Sequence, residues 1–210
     1  EELHPVSAGG FFALGVSSKE RCRPFDRNRS GLNLGEAAAT LILESEESVR
    51  RRGVKPIMEL AGYGNANDTF HVTQPSPEGE GLELAIKMAF RDAGLADISE
   101  IAFINAHGTG TIHNDLMESI VFNRIFGKGC RFHSTKGLTG HTLGAAGALE
   151  AVMSALMLEA GLACASYGFS TPDPEMPLSP LTEPFQFNNS RQSCALSTSI
   201  AFGGCNSAIL

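Results

Sequence analysis

The chain has 210 residues, 42% hydrophobic and 19% charged, a composition able to bury a real core and a length that fits one domain or a large part of one. Its net charge of −7 and pI near 5.4 argue against a broad basic surface that neutralises phosphates, so nucleic acid is not an expected partner. There is no apolar run near twenty residues, and the start EELHPVSAGG lacks the basic and apolar regions of a signal peptide, so no membrane is expected either.

Residues 1–30 are rich in small side chains and end in CRPFDRNRSG, which reads as an irregular loop around Pro24. Residues 34–43 (LGEAAATLIL) form a short apolar run between Gly31 and a charged stretch, which predicts a buried strand. Arg50, Arg51, Arg52 and Lys55 then read as a solvated basic turn. Residues 57–63 are a second strand candidate. From Gly79 to Ala93 the apolar positions Leu82, Ala85, Ile86, Ala89 and Phe90 recur every three or four residues, which predicts an amphipathic helix closed by Gly94. A strand over 101–106 and a helix over 115–126 closed by Gly127 follow. A long helix begins near Gly144, a proline-rich loop covers 171–180, and strands are predicted over 194–199 and 206–210. This alternation argues for an α/β fold with helices covering a mixed sheet.

The cysteines Cys22, Cys130, Cys164, Cys194 and Cys205 are scattered, with no C-x-x-C pair to suggest zinc or a disulfide framework; a reducing, cytoplasmic location is the simplest expectation. No metal is expected. Three segments carry candidate chemistry, INAHGTGT, STKGLTGHTLGAAG and STSIAFGGCNSA, because α/β proteins place ligands in glycine-rich loops at the ends of strands. His107 leaves a strand into the first, and Lys136 and His141 bracket two glycines in the second. Neither a dinucleotide fingerprint nor a phosphate-loop motif is present. His4, His71, His113 and His133 lack such a setting and read as structural.

These three segments, together with CRPFDRNRSGLNLGEAAATLILE and TFHVTQPSP, resemble in order and spacing the later motifs of the β-ketoacyl-[acyl carrier protein] synthases. The resemblance runs over nearly the whole chain and implies the carboxy-terminal half of a thiolase-like fold. It implies decarboxylative condensation of malonyl-carrier with an acyl thioester, in fatty acid or polyketide-type synthesis. By the same resemblance His107 and His141 donate N–H bonds to the malonyl thioester oxygen, Lys136 supports them electrostatically, and Glu118 neutralises Lys136. A helix start just after His141 disfavours positive charge there, so a neutral ring is expected. Thr73, Thr109 and Thr111 are implied contacts for the phosphopantetheine arm. Phe202, with Gly203 and Gly204, is an implied oxyanion and gating loop over the acyl pocket. Ile200 stands where the family commonly has phenylalanine, and Gly110 where serine is frequent, so acyl-chain preference does not carry over.

No resident cofactor is implied, since the substrates ride on the carrier's phosphopantetheine. The implied partners are the acyl carrier protein, the amino-terminal half of the same synthase, and a second subunit in a dimer of the full-length protein. The family's nucleophilic cysteine lies upstream of CRPFD and has no counterpart here. The chain is therefore expected to be one carboxy-terminal domain over 1–210, inactive alone and prone to self-association. The alternative is a non-condensing partner similar to a chain-length factor.

Overall fold

A computed structural model describes residues 1–96, 100–188 and 193–210. Its central feature is a five-stranded mixed sheet in the order β1-β7-β6-β2-β3. These strands are β1 (Tyr63–Asn67), β2 (Ile101–Asn105), β3 (Phe132–His133), β6 (Cys194–Ala201) and β7 (Cys205–Ile209). The first three in sheet order run antiparallel, with Ser199 opposite Ser207, while β6, β2 and β3 run parallel. A short pair, β4 (Leu162–Ala163) with β5 (Phe185–Gln186), lies apart from it.

The period of two along the strands divides the apolar residues between two faces. Ile104, Leu196 and Ile200 enter one core with α3 (Glu80–Asp92) and α4 (Ile112–Phe126). Phe103 and Ala195 enter a smaller one with Met157 of α6 (Ala146–Ala160). Helix α3 forms where its periodicity predicts, burying Leu82, Ala85, Ile86, Ala89 and Phe90, and Gly94 ends it at φ +66°. It lies so close on β1 that a Cβ at Gly64 would collide with the Ala85 carbonyl. Helix α4 starts three residues before the predicted position, with Thr111 at its N-cap, and ends at Gly127.

Three sequence expectations need correction. Residues 35–43 form no strand: they are tied down at their start by the Leu34–His141 bridge, the bond from Gly35 N–H to the His141 carbonyl and the backbone bonds between Ala37 and Glu1. Leu41, Ile42 and Leu43 are exposed, because no neighbouring strand offers the hydrogen bonds that would make an apolar run a strand. The strand candidate at 57–63 sits further along, at β1, where pairing with β7 decides the register. The basic turn is a helix, α2 (Glu46–Arg52), capped by Ser45, with Arg50 paired to Glu46 and Arg52 to Glu44. A first helix, α1 (Pro5–Ala13), buries none of its residues.

By length and composition 143–160 is apolar enough to cross a bilayer. In the fold, α6 lies on the sheet beside β6 and carries buried Glu150 and Ser154, which bind polar partners inside the protein.

Candidate active site

The site is built where β2 and β3 run out at the same end of the sheet. After Asn105 the chain leaves β2 through His107 and Gly108, and α4 returns beneath it. Glu118 of α4 accepts hydrogen bonds from the backbone N–H groups of His107 (2.8 Å) and Gly108 (2.7 Å). Asp115 does the same for Thr109 and Gly110, and also takes the N–H of Phe25 at 2.7 Å. Gly108 and Gly110 both have positive φ, and at Gly110, φ +75°, a side chain would be strained. The two carboxylates therefore hold a loop that has little stiffness of its own.

β3 leads directly into the one-turn helix α5 (Lys136–Thr139) and then to His141. Lys136 is 1% exposed and donates to Glu150 of α6, itself 2% exposed, in a buried ion pair. Its Nζ also lies 3.4 Å from His107 Nδ1. This replaces one expectation from the sequence: the direct partner of Lys136 is Glu150, fourteen residues on, and Glu118 is used to anchor the His107 loop. Lys136 and Glu150 are placed together by the packing of α6 on the sheet, and no local spacing announces the pair.

The rings of His107 and His141 stand edge to face with centroids 5.1 Å apart. His141 Nδ1 accepts the Leu143 N–H at 3.2 Å. His107 Nδ1 faces the Lys136 ammonium, a donor. In both rings Nδ1 is thus the acceptor and Nε2 is left to carry the hydrogen. Burial, then Lys136 and then His141 hold the His107 pKa well below its usual value; burial and then Lys136 hold that of His141 at about 3. His141 is therefore neutral, as expected, but desolvation is the main cause and a helix terminus is not. Burial and the neighbouring Asp115 push Glu118 up to about 7, against the N–H groups of Gly108 and His107.

The remaining predicted residues divide. The hydroxyls of Thr109 and Thr111 lie 2.8 Å apart at the mouth of the His107 loop. Thr73 lies in a separate loop, which Gly203 N–H grips through the Val72 carbonyl at 2.7 Å. Phe202 is half exposed on the turn made by Gly203 (φ +83°) and Gly204 (φ +76°), its ring stacked on Phe11 of α1. Ile200 is a core residue packed with the α3 side of the sheet, 8% exposed. Cys22 is 2% exposed, and burial, with Asp115 nearby, pushes its thiol up to about 12, which keeps it protonated.

A mixed sheet with helices on both faces is the thiolase-like fold of the ketosynthase structures it superposes on. Comparison with known proteins narrows the class. Residues 57–170 match the family model "Beta-ketoacyl synthase, C-terminal domain", and the chain belongs to that family. It is 39% identical over 192 residues to the 3-oxoacyl-[acyl-carrier-protein] synthase 2 of Staphylococcus aureus, covering 90% of this chain and 46% of that protein. It is also 39% identical over 201 residues to a mitochondrial 3-oxoacyl-[acyl-carrier-protein] synthase of Arabidopsis thaliana, covering 92% of this chain and 43% of the relative. A β-ketoacyl synthase structure from Burkholderia phymatum superposes with a TM-score of 0.92 at 35% identity, covering all of this chain and 52% of that one. A type II PKS ketosynthase, solved in complex with its acyl-carrier protein, gives 0.87 at 33%, covering 99% of this chain and 52% of that one. The chain thus spans about half the length of the relatives it matches.

Proposed function

We propose that this chain supplies the decarboxylation side of a β-ketoacyl-[acyl carrier protein] synthase site. The observation that carries the reading is the pair of neutral rings, His107 and His141, each with Nδ1 engaged and Nε2 free to donate. A malonyl thioester placed with its carbonyl oxygen between them loses carbon dioxide. The bond from the α-carbon to the carboxylate breaks, and its electron pair passes into the enolate, whose oxygen the two N–H groups stabilise. The α-carbon then attacks an acyl thioester, and the thiolate departs.

Lys136, paired with Glu150, points its Nζ at His107 Nδ1 and holds that ring in the tautomer that donates from Nε2. Thr109 and Thr111, with Thr73 from its separate loop, bind the phosphopantetheine arm. Phe202 covers the acyl pocket, its backbone N–H joining an oxyanion hole, and Gly203 and Gly204 let that loop move. The acyl thioester is held on a cysteine elsewhere in the synthase, because Cys22 is buried and protonated. The partners are the acyl carrier protein, the amino-terminal half of the synthase and a second subunit. Malonyl decarboxylation by the complete protein tests the reading: His107→Ala and His141→Ala are each expected to lose about 10²–10³-fold in rate, the range for one oxyanion donor. Unchanged rates in both variants refute the assigned roles. A wild type that releases no carbon dioxide favours a non-condensing partner subunit, similar to a chain-length factor.

A further inference from the structure

The loop from His107 to Gly110 contains two glycines of positive φ, yet its backbone is held at nearly every polar atom. The N–H groups of His107 and Gly108 go to Glu118, and those of Thr109 and Gly110 to Asp115. The Gly108 carbonyl accepts from the Ser134 hydroxyl at 2.7 Å, and the Gly110 carbonyl from the Gly31 N–H at 2.9 Å. The Thr109 carbonyl is left to a less obvious donor, the thiol of Cys22, with Sγ 3.0 Å away.

Cys22 is itself fixed. Its N–H donates to Asn33 Oδ1 at 2.7 Å, and Asn33 Nδ2 donates in turn to the carbonyls of Ser18 and Glu20. The sulfur also fills the space beside Gly110, where a Cβ would come within 2.8 Å of Sγ. Residues 22–31 therefore form a template laid along the loop, touching it at Thr109 and Gly110.

We propose that Cys22 is a positioning residue for the pantetheine-binding loop: its thiol orients the Thr109 peptide and so sets the direction of the Thr109 and Thr111 hydroxyls. This rests on the reading of those hydroxyls as pantetheine contacts. It assigns the buried cysteine a role in substrate binding and none in acyl transfer. The thiol stays protonated to act as a donor, which agrees with its high pKa. Loss of the donor leaves the Thr109–Gly110 peptide held from one side only, by its Gly110 N–H on Asp115, while Glu118 still holds His107, so binding suffers and chemistry does not.

The test compares wild type, Cys22→Ala and Cys22→Ser in the complete synthase, with malonyl-pantetheine as decarboxylation substrate and pantetheine itself as the binding probe. Cys22→Ala is expected to raise KM and the pantetheine Kd about tenfold with kcat within about twofold, the pattern of lost uniform binding. Cys22→Ser, which keeps a donor, is expected to recover most of the loss. A second readout is independent of turnover: the S–H stretching band that disappears in Cys22→Ala should lie at the frequency of a hydrogen-bonded thiol. A free-thiol frequency, an alanine variant with unchanged KM and Kd, or a fall in kcat alone overturns the proposal. Wild type that binds no pantetheine overturns the underlying reading and this inference with it, whereas wild type that binds normally beside a silent Cys22→Ala overturns only the inference.

Discussion

The two faces of the sheet are built differently. On the α3 and α4 side, Leu82, Ile86, Val121, Phe122, Phe132 and Leu196 are all buried, and Phe25 packs edge to face on Phe132. That face is closed by the chain itself. On the α6 side the apolar core is small, only 22% of the 143–160 window is buried, and Leu156 is 58% exposed. Yet this thinner face holds the Lys136–Glu150 pair and the Asn105 amide that reaches Ser154. Apolar packing is concentrated on one side, while the polar anchors of the site are divided: Glu118 and Asp115 come from α4 on the closed side, and Glu150 from α6 on the thin one.

Substitutions on each face test this contrast. The largest effect is expected at Glu150. Glu150→Ala leaves the Lys136 ammonium buried without its carboxylate and should cost about 3–5 kcal/mol in urea unfolding. It should also abolish most decarboxylation by the complete protein. A loss below about 1 kcal/mol would mean that water already reaches the pair. On the closed face, Phe122→Ala should cost about 3–5 kcal/mol by the same measurement with little change in malonyl decarboxylation per folded molecule. Equal damage to activity would show that the faces are not separable.

His133 gives a smaller, pH-dependent effect. It is fully buried against Phe103, neither ring nitrogen has a partner among the described residues, and burial lowers its pKa from 6.5 to about 4. The folded state therefore refuses a proton that the unfolded chain accepts. Its contribution is present above pH 6.5 and is lost as pH falls towards 4. His133→Phe should remove up to about 3 kcal/mol of that acid loss. Glu118, with a raised pKa, acts with the opposite sign, losing its contribution as pH rises from 4.5 towards 7. The readout is accordingly the difference in slope between wild type and variant across urea melts at several pH values. The smallest effect is expected on the open face: Leu156→Gln should change stability by less than about 0.5 kcal/mol while reducing self-association in light scattering. A large destabilisation would show that α6 is already packed on both sides.

Much of this was legible in the sequence, for identifiable reasons. The amphipathic spacing of α3 and the glycines at 94 and 127 were readable because each is a local property of a few consecutive residues. The histidines were readable because each sits in a glycine-rich loop, and their motifs carried the family. The helix α2 could have been read from Ser45, its acidic first turn, its arginine-rich last turn and Gly53, all of them capping signals. Helix α1 had no such pattern, with two glycines inside it and no buried face.

The α/β class and the family could be read from the sequence alone, and so could the two loops that bring the rings of His107 and His141 to 5.1 Å. Long-range packing fixes the rest: Lys136 pairs with Glu150, Glu118 and Asp115 hold the loop by its N–H groups, and residues 35–43 remain without a strand partner. The physical reason is the same in each case. Helix periodicity and turn chemistry act between near neighbours, while an ion pair, a strand or a buried carboxylate exists only when a distant segment supplies the other half of the bond.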